Sequence, residues 1–347
     1  MQLPSPAETV AGGAIRLTRR AGDELGEWQG SAALSKLDEL GGTPGTDRRG
    51  ATLWIDLTDP DAALVERVAL ALGLHPLIAE DVVHGNQRSK IEVTDGLVHL
   101  VVFALEFDEA GSGSTLDRVT AREIDLVLGE GFLLSAHPAG WEPRTGDHFR
   151  SGPNDPMKAG PDHLLWAIVD TIVDGYFPFA DRLEDLIDRL QNQVVDKPDR
   201  ATLDQLFDLK RELISARRAV SPVREILNQL TNRELALIDP EEVLYFRDIY
   251  DHVIRLADEL DTDRDLVAAT VEIYLSTINN NLSVIMKRLT GVTVILAGIG
   301  AIAGIFGMSE AGSAFAGAEA AGFWLVTVGV VAIAVAAAVI LRKADWI

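Results

Sequence analysis

Apolar residues in the first half of the chain come in short runs. Ala51–Leu57, Leu97–Phe107, Glu123–Leu128 and Phe132–Ala136 read as strands, and the stretches near Asp61–Leu72 and Pro76–Val83 carry helical spacing. Together they predict an α/β domain over residues 1–160, with loops where glycine and proline gather at Gly41–Gly50, Gly111–Gly113 and Pro138–Pro161. After Gly175 the pattern changes. No glycine occurs again before Gly291, and the prolines are confined to Pro178, Pro198, Pro222 and Pro240, which predicts long helices over 161–240. Pro198 and Pro240 mark helix starts, whereas Pro178 and Pro222 fit a first turn or a kink. From Glu241 the apolar positions Ile249, Val253, Leu256, Leu260, Val267, Tyr274, Ile278, Ile285 and Leu289 recur every three or four residues, so one stalk helix is expected over 241–288. Continued to Met308, such a helix is about 100 Å long at 1.5 Å per residue, more than a compact domain needs.

Two uncharged apolar stretches follow, Leu289–Met308 and Phe323–Leu341, each long enough to cross a hydrocarbon core about 30 Å thick. They predict a transmembrane helix at 289–308, an external loop at 309–322, a second transmembrane helix at 323–341 and a basic tail at 342–347. A buried helix pair seldom stays free of charge for so long. Lys287 and Arg288 precede the first stretch, Arg342 and Lys343 close the second, and the loop between carries Glu310 and Glu319 but no Lys or Arg. The positive-inside rule then places both termini in the cytoplasm. Two helices cannot wall off a wet path from lipid, so a pore requires an oligomer. Gly291, Ala297, Gly298, Gly300, Ala301, Ala303, Gly304 and Gly307 make the first stretch the better candidate for the central helix, because small residues let helices approach closely.

Composition narrows the chemistry. A formal charge of -22 and a sequence pI near 4.6 argue against a nucleic-acid partner and favour cations as counter-ligands, although many of these acids are read as solvated faces. With no cysteine, metal binding is left to carboxylates, amides, hydroxyls and imidazoles, a set suited to hard cations. The acidic run Asp258–Asp265 is read as a solvated helix face or a cation-concentrating surface, and the seven histidines show no ligand spacing that compels a zinc site. No phosphate loop, nucleophile elbow or zinc-hydrolase motif is present, so no enzyme is expected. The first residues, MQLPSPAETVAGG, have neither a basic nor an apolar region, so no cleavable signal peptide is read there.

Several blocks resemble the CorA family of divalent metal ion transporters, in order along the chain: His75-Pro76 with Glu80-Asp81 and Gln87 to Lys90; Tyr245 to His252; Tyr274 onward with Ile285 to Thr290; Ala303 to Met308; and Arg342-Lys343 with Trp346. The family signature Gly-Met-Asn stands here as Gly307-Met308-Ser309, and Gly298 takes the place of a proline in the first span. The glycine-rich loop is closer to the ZntB branch, which moves zinc. The resemblance implies an oligomeric funnel: an α/β cytoplasmic domain, long helices, a stalk and two transmembrane helices, assembled as a homopentamer in the lipid bilayer of the cell inner membrane. It implies a pore-facing line of Ser283, Met286, Leu289, Thr293, Ala297, Gly300, Gly304, Gly307, Met308 and Ser309, with Met286 and Leu289 as an apolar constriction. It also implies cytoplasmic regulatory metal held by Asp248, Asp170 and Asp81 or Glu80. The expected cargo is Mg²⁺, with Co²⁺ or Ni²⁺ as further cations of the same channel. The alternatives are a ZntB-like Zn²⁺ transporter and a non-conducting, membrane-anchored metal sensor.

Overall fold

Alternating and fully apolar runs in the first half assemble into an eight-stranded sheet. The computed structural model describes residues 9–10, 13–41, 50–85, 87–94, 96–108, 118–150, 155–196, 198–307 and 319–343. Its strands are β1 (Thr9–Val10), β2 (Gly13–Ala21), β3 (Glu24–Gln29), β4 (Ala51–Thr58), β5 (Lys90–Thr94), β6 (Leu97–Asp108), β7 (Arg118–Gly129) and β8 (Phe132–His137). Their order is β1-β2-β4-β8-β7-β6-β5, with β3 pairing β2 outside this path. Only β4 and β8 run parallel; the other pairs are antiparallel.

Position in the sheet follows from side chains. All six residues of β8 are buried, as befits a strand between β4 and β7 that is covered on both faces; Phe132 to Leu134 and Ala136 are apolar, and Ser135 and His137 are buried polar groups with hydrogen-bond partners. The β7–β8 turn is two residues long, with Gly131 at φ +78°, a conformation that a side chain disfavours. β1, β2, β3 and β5 escaped the sequence reading. β2 is the physically instructive case: its core carries Arg16 and Thr18, both buried, so its composition reads as polar although Ile15 and Leu17 face the core.

Helices cover both sheet faces. α1 (Gly30–Gly41), α2 (Ala62–Leu72) and α3 (Pro76–His84) enclose one core with Ile15, Leu17, Ile55, Leu57, Leu134 and Ala136. Asp61 caps α2 by accepting from Leu64 N–H at 2.8 Å, and Gly73 ends it in a left-handed conformation. The opposite face packs against α5 (Pro161–Asp174), following the short α4 (Asp147–Arg150). Here the alternate residues of β4 and β8 form a buried polar chain. Trp54 Nε1 donates to Ser135 Oγ at 2.9 Å, Ser135 donates to Asp56 at 2.6 Å, and His137 Nε2 lies 3.2 Å from the same carboxylate.

α6 (Tyr176–Asp196), α7 (Arg200–Asn232), α8 (Val243–Gly307) and α9 (Glu319–Lys343) complete the chain. Pro178 lies in the first turn of α6, where its missing N–H has no helical partner, and α7 continues through Pro222. Asp199, directly after Pro198, caps α7 through Thr202 N–H at 2.8 Å. The stalk is one uninterrupted helix of 65 residues, as its periodicity predicts. α9 begins at Glu319, ahead of the expected Phe323, because Glu319, Ala320 and Ala321 extend the apolar stretch with good helix formers and an acid in the first turn.

The chain divides into two compact units, one of residues 1–191 and 204–268, the other of 192–203 and 269–347.

Candidate functional site

Along α8 the residues Phe246, Ile249, Val253, Leu256, Leu260, Asp263, Val267, Thr270 and Tyr274 are buried, at alternating spacings of three and four. Beyond Tyr274 the character of the helix inverts. Leu282, Ile285, Met286, Leu289, Val292, Val294 and Leu296 are large, apolar and exposed, with Met286 at 53% and Leu289 at 59%. Exposed apolar surface on this scale is unfavourable in water and calls for lipid or a second chain. Among the described residues, α8 is the one helix long and apolar enough to cross a membrane by length and composition. α9 carries no charge between Glu319 and Arg342.

Ser283, Met286, Leu289, Thr293, Ala297, Gly300 and Gly304 are all exposed on α8. At 100° per residue they fall within an arc of about 120°, one helix face. Gly307 is the last residue of α8. Met308 and Ser309 lie outside the described residues, as does most of the expected external loop. Ser283 Oγ donates to Asn279 C=O at 2.9 Å and Thr293 Oγ1 to Leu289 C=O at 2.7 Å. With each hydroxyl proton committed to its own helix, the oxygen lone pairs are what these side chains offer outward.

The expected regulatory carboxylates are distributed differently. Asp170 and Asp174 are one turn apart on α5 and meet His252 of α8, so that one ligand atom from each lies within 4.8 Å of the others. Asp170 is 9% exposed and its Oδ2 is 2.6 Å from His148 Nε2. Burial and then the Asp170 carboxylate push Asp174 up from its ordinary value, against the opposite pull of His148 and His252. His252 Nδ1 is buried without a hydrogen-bond partner. A carboxylate whose charged form is disfavoured by burial and a neighbouring acid, beside an imidazole nitrogen without a partner, is what a metal ion would relieve. The aromatic groups around this cluster fix it in place. Trp166 of α5 packs 4.4 Å from the His148 ring, 4.7 Å from His163 and 4.9 Å from Tyr245, while His163 Nδ1 meets Glu242 at 2.7 Å. Asp162 accepts from Asp239 N–H at 2.9 Å, tying the segment before α8 to the start of α5.

Asp81 belongs to a second group, with Glu92 of β5 and His99 of β6. An ammonium already occupies it: Lys90 Nζ lies 2.6 Å from Asp81 and 3.1 Å from Glu92. Desolvation pulls Lys90 down, but the two carboxylates outweigh it and hold the amine above its usual range. His99 Nε2 is engaged by Asp125 at 2.8 Å. Glu80 and Asp248 are exposed and belong to neither cluster. Of the carboxylates expected from the sequence, Asp170 stands in this cluster, whereas Asp174, His148 and His252 were not among the expected ligands. Asp170 and Asp174 are four residues apart on a helix, a readable spacing, whereas the histidines come from other elements and left no local signal.

Comparison with known proteins supports one assignment. The family described as CorA-like Mg²⁺ transporter protein matches residues 49–343. The chain is 32% identical over 269 residues to the cobalt/magnesium transport protein CorA of Thermotoga maritima, covering 74% of this chain and 72% of that protein. The complete structure of the CorA magnesium transporter from Methanocaldococcus jannaschii superposes with a TM-score of 0.73 at 22% identity, covering 95% of this chain and 98% of that one. The ZntB cytoplasmic domain from Vibrio parahaemolyticus shares the fold at a TM-score of 0.56 and 13% identity, over 78% of this chain and 99% of that one. With a stalk that passes from a covered apolar stripe to an exposed one, and a family match spanning most of its length, this chain belongs to the CorA-like Mg²⁺ transporter family.

Proposed function

We propose that the protein is one subunit of a homopentameric divalent-cation channel in the cell inner membrane. Two spans per subunit, 289–308 and 323–341, leave both termini in the cytoplasm. The observation that carries this reading is α8 itself: one helix, buried along a stripe to Tyr274 and then apolar and exposed, with a single face of small and hydroxyl residues. In an assembly that face lines the axis from Ser283 to Gly304 and on to Gly307, Met308 and Ser309. Met286 and Leu289 form the apolar constriction that gates by dewetting. Thr293 and Ser283 present oxygen lone pairs to the water shell of the ion, which suits Mg²⁺, a cation that dehydrates reluctantly.

Cytoplasmic metal bound at Asp170 and Asp174, and between subunits at Asp248 with Glu80, or with Asp81 once the ion displaces the Lys90 ammonium from it, neutralises facing acids and holds the closed state. Its loss lets repulsion loosen that state. A second reading has its own support. The His252 nitrogen beside two carboxylates favours Zn²⁺, Co²⁺ or Ni²⁺ over Mg²⁺ as the regulatory ion or the cargo. Ion flux into proteoliposomes separates the cases: Mg²⁺ and Co²⁺ entry supports the channel, Zn²⁺ entry with pH dependence the ZntB-like transporter, and silence under every ion the sensor. Ser309→Asn is expected to raise Mg²⁺ flux or its block by hydrated-cation mimics; an unchanged flux would place selection away from the pore entrance.

A further inference from the structure

The buried stripe of α8 contains one charged side chain among the described residues, Asp263, and the transport reading does not use it. It stands between Leu260 and Val267, where the three-and-four spacing demands an apolar residue, and is only 4% exposed. Its Oδ2 is buried with no hydrogen-bond partner.

The charged groups that face it are carboxylates: Glu259 on its own helix, and Glu184 and Asp188 on α6. Asp181 of α6 adds to the negative field at Glu259, where Arg255 is the opposing charge. Two other arginines, Arg217 and Arg264, are turned to other acids. Arg217 of α7 lies 2.7 Å from Asp261, while Arg264 lies 3.4 Å from Asp261 and 2.9 Å from Asp265. A buried carboxylate aimed at other carboxylates, without a cation of the chain's own, is expensive unless a proton or a metal ion joins it.

We propose that Asp263, Glu259, Glu184 and Asp188 form a separate site for a hard divalent cation between α6 and α8, held largely through its water shell. Three features argue for this ligand class. The set is all carboxylate oxygen, which suits Mg²⁺ or Mn²⁺ rather than a softer metal. Its oxygens do not close to within 4.8 Å as those of Asp170, Asp174 and His252 do, so water must bridge the ion to some of them. Glu184 and Asp188 are exposed and open the site to solvent, while Asp263 anchors it from within. An ion there would cross-link α6 to α8 and turn a mutual repulsion into an attraction.

The test counts bound Mn²⁺ per chain by equilibrium dialysis of the purified full-length protein at neutral pH, with free Mn²⁺ read by its paramagnetic signal. Asp263→Asn is expected to remove about one ion per chain, or to weaken one class of site at least about tenfold. The exposed pair Glu184→Gln with Asp188→Asn should cause the same loss without disturbing the helix core. Asp174→Asn should remove a different ion, so that its loss adds to that of Asp263→Asn. An unchanged count in both the Asp263 and the α6 variants overturns the proposal, and leaves a proton as the group's only companion. Binding is measured without transport, so a failure of the flux reading and a failure of this one are told apart.

Discussion

Replacing Asp263 with leucine should stabilise the metal-free protein, and should do so in a pH-dependent way. Burial, and then Glu259, Glu184 and Asp188, raise this carboxyl from 3.8 to about 6. A carboxyl raised on folding binds its proton more tightly in the native state, so its contribution is favourable in acid and is lost as pH climbs from the unfolded value through the native one. The shift of roughly two units corresponds to about 3 kcal/mol at pH 8, of which about 1.4 kcal/mol is lost between pH 5 and pH 8. High salt trims the part due to the neighbouring acids but not the part due to burial. Leucine matches the apolar spacing set by Leu260 and Val267 and carries no charge to desolvate. At about 2–4 °C per kcal/mol, the variant should melt about 6–12 °C above the parent at pH 8 in chelator, and the gap should narrow toward pH 5. Differential scanning fluorimetry of the detergent-solubilised protein across that pH range measures both. A gap that stays constant with pH, or a variant that melts lower throughout, refutes the assignment of a costly buried charge to this position.

Three other outcomes follow from the geometry. His252→Ala should weaken Co²⁺ or Zn²⁺ binding about 10- to 100-fold while reducing Mg²⁺ binding less, since the imidazole nitrogen is the softer ligand, whereas Asp174→Asn should weaken all of these ions; isothermal titration calorimetry reads them separately. Met286→Ser should raise Mg²⁺ flux by about tenfold, the effect of removing about 1.4 kcal/mol from a dewetting barrier, and a flux that does not change moves the gate elsewhere. His137→Ala should cost about 3–5 kcal/mol by leaving the buried Asp56 carboxylate without its imidazole partner, held only by the Ser135 hydroxyl. The Asp56–His137 pair is at full strength between the ordinary values of 3.8 and 6.5. Desolvation pushes both groups toward neutrality, but their mutual hydrogen bond prevails, lowering Asp56 and raising His137. The parent therefore loses this stability as pH falls through the lowered aspartate value and as it rises through the raised histidine value, and the alanine variant should lack both slopes in urea unfolding.

The stalk was the most legible part of the chain because one helix records its partners in its own period. Ile249, Val253, Leu256, Leu260, Val267 and Tyr274 were marked by spacing alone, and all are buried. The central strands β4 and β8 were legible for a related reason: burial on both faces makes them mostly apolar, and Asp56, Ser135 and His137 are buried there only because they bond one another. What stayed hidden depends on tertiary pairing. β2 buries Arg16 beside Glu142 at 3.3 Å, and that salt bridge joins residues far apart in sequence, so the strand looked too polar to be central. The same holds for Asp263. The acidic run Asp258–Asp265 reads as a solvated face, and only the register of the buried stripe shows that Asp263 points inward while Asp258 and Asp265 point out. Asp81 shows the converse: its match to a regulatory carboxylate was legible, but the Lys90 that neutralises it comes from the adjoining strand.

Asp248 stands four residues before His252 on α8, hence about 5–6 Å away on the same helix face. It is exposed, whereas Asp170 behind His252 is buried. An ion on the Asp170–Asp174–His252 cluster would therefore have its inner ligands supplied by one chain and an additional acid at the rim. In the homopentamer proposed above, that rim carboxylate would be the group open to a neighbouring copy. A metal seated in the cluster would offset the burial and the Asp170 repulsion that hold Asp174 above its ordinary value, and would draw Asp248 toward the same charge. Binding within a subunit and contact between subunits are then one electrostatic event. On this reasoning, Asp248→Asn should leave the ion affinity of a single subunit's cluster nearly intact and yet reduce the effect of metal on flux. A mutation that abolished binding and regulation in equal measure would instead place the ion between chains from the outset.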